Sequence, residues 1–258
     1  MEKPVRALTS ARRSVHGQIV EELGRRIVAG EFPPGSVLPT EGAYSARLEV
    51  SRTSFREAIK MLAGKGLVES RPKTGTRIRQ RSEWNMLDPD VTAWAFTGGP
   101  DPDYARAFFE FRGIIEPAGA ALAAERRDEA DMEKMRAGLA GMGAANSRDE
   151  WIGPDLAFHR AILVATRNDL LISLGHMLEP ALTASFAIAN VDPSRRQASV
   201  PLHRAVYTAI EGRQPEDARA AMAFLLGEAL VDLVEMIGIE NGPESAESVS
   251  EVMTETTK

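Results

Sequence analysis

Residues 36–80 read SVLPTEGAYSARLEVSRTSFREAIKMLAGKGLVESRPKTGTRIRQ, and this stretch decides the fold of the N-terminal part. A short helix is expected over 40–48, because the Thr40 hydroxyl is a good N-cap just after Pro39. A second helix is expected from near Ser51 to Ala63, ending at Gly64. Only Glu49 and Val50 separate the two, which is the tight connection of a helix-turn-helix. In the second helix Phe55, Ile59 and Leu62 recur at i, i+4 and i+7, so that face should pack inward. Ser51, Arg52, Thr53 and Arg56 lie off that face at the N-terminal end. There an arginine can fork onto guanine or phosphate, and hydroxyls can donate to phosphate. Leu67-Val68-Glu69-Ser70-Arg71, the turn Pro72-Lys73-Thr74-Gly75 and Thr76-Arg77-Ile78-Arg79 follow as strand, turn and strand. They form a basic wing that offers Thr74, Gly75, Thr76 and Arg77 as further DNA contacts.

Charge is partitioned along the chain. Residues 1–82 hold 16 of the 31 Lys+Arg and 8 of the 37 Asp+Glu, a net of +8, while the rest holds 15 and 29, a net of −14. A basic module able to neutralise phosphates is thus joined to an acidic one that should stay off DNA. A small α/β domain with a solvated basic face would not account for that partition. At 258 residues and 43% apolar composition the chain can bury the cores of two modest domains. The absence of cysteine excludes a disulfide scaffold and any thiolate metal or redox site. No apolar run approaches the ~20 residues that span a bilayer, so no membrane partner is expected. The opening MEKPVRALTSARR has no apolar segment behind it, unlike a secretory signal, and the cytoplasm is the simplest compartment.

The expected organisation is a flexible arm over 1–13, a winged helix-turn-helix domain over 14–82, a connector over 83–103, a helical domain over 104–239 and a disordered acidic tail over 240–258. The first domain opens with an amphipathic helix over 15–29, marked by Ile19, Leu23 and Ile27 and stopped by Gly30. The connector carries Trp84, Leu87, Val91, Trp94 and Phe96, so its first half should pack against a domain, leaving 98–103 as the hinge. Helical periodicity marks 107–124, 128–144, 150–165, 169–187, 195–211 and 215–237, and the fold class is mainly α.

Within the helical domain Asp155 and His159 stand at i, i+4 and project from one helix face, with His203 as a third candidate. A carboxylate with two imidazoles suits a divalent transition metal and leaves positions for an exogenous ligand. The same spacing also occurs as an ordinary helix-surface pair or a hydrogen-bonded core histidine. Arg112, set among Phe108, Phe109, Phe111, Ile114 and Ile115, has two readings. It is either an intrahelical partner of Glu116 at i+4 or a pocket guanidinium that grips an effector carboxylate.

Leu38-Pro39-Thr40-Glu41, Val50-Ser51-Arg52-Thr53, Arg56-Glu57-Ala58, Gly66-Leu67-Val68 and Gly75-Thr76, in this order and spacing, resemble the winged helix-turn-helix of the GntR family of bacterial repressors. The stretch FEFRGIIEPAGAALAA over 109–124, Asp155-x-x-Phe158-His159 and His203 with Ala209-Ile210 resemble the FCD effector domain of its FadR subgroup. That resemblance implies an antiparallel all-α bundle of six or seven helices, a homodimer, and a divalent metal, zinc above all, held by one Asp and three His. The Asp and two of the His fall on Asp155, His159 and His203; the third falls at Leu225, which cannot ligate. Family members commonly carry an arginine after the glutamate matched by Glu41, where this chain has Gly42, so base reading shifts toward Arg52, Thr53, Arg56 and the wing. The connector WNMLDPDVTAW over 84–94 resembles that of sugar-acid-responsive members, in which the last histidine is likewise absent.

The function implied is a ligand-responsive transcriptional regulator, not an enzyme. It would repress a sugar-acid or other carboxylate catabolic operon and leave its double-stranded DNA operator when a small carboxylate effector binds. Two alternatives stand beside it. One is a metal-dependent enzyme in which Asp155, His159 and His203 activate water; the other is a constitutive DNA-binding protein with a degenerate effector site.

Overall fold

The structure, a computed structural model, describes residues 14–42, 44, 50–71, 74–97, 101–189 and 192–236. The chain divides into two units, Met1–Thr97 and Gly98–Lys258. The expected arm over 1–13 and tail over 240–258 lie outside the described residues, as does most of the expected helix over 40–48, of which Glu41, Gly42 and Tyr44 are helical.

In the first unit α1 spans Val15–Val28, with the Ser14 hydroxyl accepting from the Gly17 amide. It buries Ile19, Val20, Leu23 and Ile27, and Gly30 then takes a left-handed φ of 79° that turns the chain away. Helix α2 spans Arg52–Gly64, capped by Ser51, whose hydroxyl accepts from the Ser54 amide at 3.0 Å. Phe55, Ile59 and Leu62 are buried, as their spacing predicted. The left-handed break comes at Gly66 (φ 76°) rather than at Gly64, which is the last helical residue. The backbone fixes that choice, since a Cβ on Gly66 would stand 2.6 Å from the Glu83 carbonyl oxygen.

Strands β1 (Val68–Arg71) and β2 (Gly75–Ile78) pair antiparallel, with Val68 opposite Ile78 and Arg71 opposite Gly75. A bridge from Val37 to Arg77 lays the segment after the Pro33–Ser36 turn along β2. After the wing the connector is more structured than expected. It holds a 3-10 turn at Arg81–Glu83 and a helix α3, Pro89–Ala95. Asp88 at the N-cap and Pro89 at the first helical position make that helix start. Trp84, Val91 and Trp94 are buried in the same core as α1 and α2. Trp94 lies over Gly24 of α1 so closely that a Cβ there would stand 2.2 Å from Cζ3 of the indole. Lys65 Nζ fixes the start of α3, at 2.8 Å from both Asp88 Oδ1 and Asp90 Oδ2.

The second unit is helical throughout its described length. Its helices are α4 (Pro102–Arg126), α5 (Glu129–Ala144), α6 (Arg148–Ala165), α7 (Asp169–Ala189), α8 (Pro193–Glu211) and α9 (Pro215–Met236). Connections of a few residues make antiparallel neighbours of α5 and α6, of α6 and α7, and of α8 and α9. Helix α4 packs on α6, α8 and α9. A core of Ala120, Met132, Met135, Trp151, Phe158, Val206, Ile210 and Met222 lies between them. No helix among the described residues is long and apolar enough to cross a membrane.

Candidate functional site

Three helices of the bundle each contribute polar side chains at i, i+4 spacing to one buried place. Helix α4 brings Arg112 and Glu116, α6 brings Trp151, Asp155 and His159, and α8 brings Ser199 and His203. Asp155, His159 and His203 converge with one ligand atom each, all within 4.8 Å of one another, and all three are buried. His203 Nε2 is 3.1 Å and His159 Nε2 3.3 Å from the same oxygen, Asp155 Oδ1.

The back of each candidate ligand is held. The other Asp155 oxygen, Oδ2, accepts from Trp151 Nε1 at 3.1 Å. His203 Nδ1 lies 2.9 Å from the Ser199 carbonyl oxygen, which can only accept, so Nδ1 donates there and Nε2 is turned toward Asp155. His159 Nδ1 stands 2.7 Å from Glu116 Oε2, close as an ion pair though off the line of a hydrogen bond. Glu116 is gripped in turn by Arg112, whose Nε donates to Oε1 at 2.6 Å and Nη2 to Oε2 at 3.4 Å. Carboxylate or carbonyl partners behind ligating imidazoles are the usual outer support of a metal site. This donor set therefore fits a divalent transition metal.

The electrostatics agree. Burial alone would raise the Asp155 carboxyl, but hydrogen bonds from His159 and His203 and their charge hold it well below the usual carboxylate range. Burial would likewise raise Glu116, yet the charges of Arg112 and His159 draw it down to about 2. Burial disfavours a charged His159; the charge of Glu116 and the hydrogen bond to Asp155 outweigh it and lift the imidazole to about 9. Without a metal, then, His159 carries a proton between two buried carboxylates, and a cation in the cluster takes over that proton's role.

A cavity of about 140 Å³ is lined by Arg112, Asp155, His159 and His203 together with Phe109, Phe186, Leu225 and Leu226. Leu225 is buried in its wall. Arg112 is 1% exposed, stacks over Phe109 and Phe186, and its Nη1 has no hydrogen-bond partner. Arg112 thus pairs with Glu116, as the first of its two sequence readings has it, and still keeps a buried donor to spare. A larger cleft of about 780 Å³ shares Arg112, Glu116 and His159 as a wall, but Asp155 and His203 do not line it. The ligand atoms face the small cavity.

On the N-terminal unit Arg52, Thr53 and Arg56 are exposed at the start of α2. Ser51 is exposed too, with its hydroxyl engaged as the cap. Arg56 Nε rests 2.8 Å from Glu41 Oε2. On the wing Thr74 is exposed, Gly75 takes a φ of 84°, and Thr76 is half-buried beside Ser70. Arg77 is engaged within the unit. It is half-buried and its guanidinium turns back to donate to the Gly35 carbonyl, because its register opposite Glu69 places it beside the Pro33–Ser36 turn.

Sequence reasoning passed over Trp151 and Ser199, and saw Glu116 only as a neighbour of Arg112. The signal was present, since each stands four residues from a site residue on the same helix face.

Comparison with known proteins agrees with this architecture. Residues 16–78 match the family described as bacterial regulatory proteins, gntR family, and residues 107–227 match the FCD domain. The galactonate operon transcriptional repressor of Escherichia coli (strain K12) is 30% identical over 221 residues, covering 85% of this chain and 96% of that protein. The HTH-type transcriptional regulator LutR of Bacillus subtilis (strain 168) is 31% identical over 200 residues, covering 75% and 89%. In fold the chain resembles the solved structure of Lar, which controls the expression of the Listeria monocytogenes agr system. That match has a TM-score of 0.62 at 17% identity and covers 86% of this chain and 98% of the other. The relatives are transcriptional regulators and not enzymes, which sets aside a metal-dependent enzyme in the helical unit.

Proposed function

This chain belongs to the GntR family of bacterial regulatory proteins, FadR subgroup, with an FCD domain as its helical unit, and we propose that it is a repressor released from its operator by a small carboxylate at a metal site. The observation that carries the effector reading is one cavity lined both by the three convergent ligand residues and by Arg112, whose buried Nη1 has no hydrogen-bond partner.

Asp155, His159 and His203 would hold the ion, and two imidazoles with a carboxylate favour zinc. When bound, such a cation supplies Lewis acidity and two positive charges to a pocket whose own carboxylates would otherwise repel an anion. Trp151, Ser199 and Glu116 orient the ligands. Arg112 offers its free donor to a carboxylate oxygen, at a site dry enough for a charge-assisted hydrogen bond to be strong. The connector and the similarity to the galactonate operon repressor favour an effector of the sugar-acid or other carboxylate class.

Ser51, Arg52, Thr53 and Arg56 would read the operator from α2, with Thr74, Gly75 and Thr76 of the wing along the phosphates and Arg77 bracing the wing. A homodimer would present two such helices about one turn of DNA apart, on a near-palindromic site in the cytoplasm. An effector that binds one arrangement of the dimer better than the other shifts the population toward it, and that differential affinity is the switch.

The test is operator binding by gel shift with the metal-loaded dimer, titrated with a panel of small carboxylates, in wild type and Arg112→Met. Release of wild type and retention of the variant are expected. Release of both, or of neither, removes the effector site from this cavity.

A further inference from the structure

Three protein ligands leave a four-coordinate zinc one position short. Residue 225, where the family resemblance places the third imidazole, is a leucine that lines the cavity and cannot ligate. The polar side chains that line the cavity beside the three ligands are Arg112, Arg195, Ser199, Glu228 and Asp232. Arg112 pairs with Glu116, and a guanidinium has no lone pair to give a metal. Arg195 is paired with Asp232, and its Nη2 also meets Glu235 Oε2 at 2.5 Å. The Ser199 hydroxyl lies 3.1 Å from Nδ1 of His203, the ring nitrogen that does not face Asp155. Glu228 is different. Among the described residues its carboxylate has no hydrogen bond and no ion pair, and the residue is exposed to solvent while it also lines the cavity.

Placement on the helix favours it. Glu228 follows Leu225 by three residues on α9, so the two share a face, about 4.5 Å apart along the axis. Helical side chains lean toward the N-terminus, so a residue at 228 covers the surface over the turn that holds Leu225. The Glu228 oxygens are not among the ligand atoms that converge within 4.8 Å, and the step that remains is a turn about the residue's own torsions. An exposed side chain with no partner to lose makes such turns on the picosecond-to-nanosecond scale. Charge favours it as well. Glu116 is already balanced by Arg112, so Asp155 alone leaves a divalent ion with excess positive charge in a buried place. A second carboxylate makes the centre neutral.

We propose that Glu228 is the fourth protein ligand of the ion, turning from solvent onto it to complete a set of two imidazoles and two carboxylates. The inference rests on the metal reading above and deepens it.

The test uses full-length protein, with zinc affinity from competition with a chelator and the visible absorption of the cobalt-loaded form, which changes when a ligand is lost. Glu228→Gln and Glu228→Asp should each bind zinc at least about tenfold more weakly than wild type and alter the cobalt spectrum. Aspartate separates ligation from charge, because it keeps the charge and loses the reach. Leu225→His in the Glu228→Gln background should restore most of the lost zinc affinity, since it supplies a donor from the same face of α9. If that double variant does not fold, the two Glu228 variants decide alone. Glu228→Gln with wild-type affinity and an unchanged spectrum overturns the proposal. So does Glu228→Asp matching wild type while Glu228→Gln does not, which would mean that the carboxylate acts by charge alone, and so does a folded double variant no tighter than Glu228→Gln. All three leave the metal reading standing. If wild type binds neither zinc nor cobalt, the metal reading falls and the proposal with it.

Discussion

His203 Nε2 lies 3.1 Å from Asp155 Oδ1, 48 residues away in sequence, and this contact joins α8 to α6 at the centre of the bundle. The same oxygen lies 3.3 Å from His159 Nε2, so one carboxylate oxygen is shared by two imidazoles whose other nitrogens are already engaged. A metal held there separates the three groups and satisfies all of them. His203→Ala should purify with far less bound metal than wild type. Glu116→Gln, which keeps every ligand but weakens the support behind His159, should lower metal affinity by ~10–100-fold when measured above about pH 9, where the His159 proton no longer competes. Elemental analysis and competition with a coloured chelator measure both. Unchanged affinity in Glu116→Gln would show that the contact behind His159 does not tune the site.

The cluster makes the stability of the chelated protein depend on pH in two directions. Glu116 falls from its ordinary 4.5 to about 2, so its contribution is present above 4.5 and lost as pH drops through 2. His159 rises from 6.5 to about 9, so its contribution is full below 6.5 and lost as pH climbs through 9. Thermal midpoints of metal-free protein should form a plateau between those ordinary values and fall on both sides. Glu116→Gln should flatten the acid arm and, by removing the largest influence that raises His159, bring the alkaline arm to lower pH. Metal affinity should weaken about tenfold per unit as pH falls from about 9, because one proton leaves His159 as the ion binds. A pH-independent affinity across that range would contradict the protonated resting cluster.

Much of this was legible because periodicity carries it. Phe55, Ile59 and Leu62 fixed the inward face of α2, and Asp155 with His159 announced a shared helix face. His203 was a candidate by residue type, and family likeness strengthened its pairing with them, since no local rule brings positions 48 residues apart together. The helix within the connector was missed because its seven residues are too short for a period to show; the Asp88-Pro89 start signal was the usable clue. The inward turn of Arg77 was hidden for another reason. Its partner is a backbone carbonyl at Gly35, and backbone acceptors have no sequence signature.

The seat of Trp94 on Gly24 joins α3 to α1 by shape alone. A methyl at position 24 would stand 2.2 Å from the indole, so Gly24→Ala forces the ring out of place and should destabilise the N-terminal unit by ~1–3 kcal/mol. Trp94→Leu should be destabilising by itself through lost burial. The double variant should be less destabilised than the sum of the two, because the clash disappears with the ring. Chemical denaturation followed by the remaining tryptophans reads the cycle; strict additivity would mean that the two side chains do not meet.

For DNA, Arg52 and Arg56 stand exposed on the capped end of α2, with Arg56 steadied by Glu41 at 2.8 Å. Each replaced by alanine should lower operator discrimination by ~1–3 kcal/mol and leave the fold intact. Arg77→Ala should act differently. Losing the donor to Gly35 loosens the wing, so affinity should fall about equally for operator and non-specific DNA. Fluorescence anisotropy with both duplexes separates the patterns. A selective loss of operator binding in Arg77→Ala would assign it to base reading instead.

Gly42 offers the converse experiment, a gain of affinity. It is exposed and helical beside Glu41, and a Cβ there meets nothing within 4 Å, so a larger side chain has room. Family likeness places an arginine at this position, and a helix residue replacing glycine also lowers the entropy lost on folding. Gly42→Arg should therefore stabilise the unit slightly, by under ~1 kcal/mol, and add one cation near the phosphates. One more phosphate contact steepens the slope of log affinity against log salt by roughly 0.9 and tightens binding most at low salt. If the added side chain reads a base, operator affinity should rise more than non-specific affinity; if it touches phosphate alone, both should rise together. Salt titrations of Gly42→Arg on the two duplexes decide between these, and an unchanged slope would place position 42 away from the DNA.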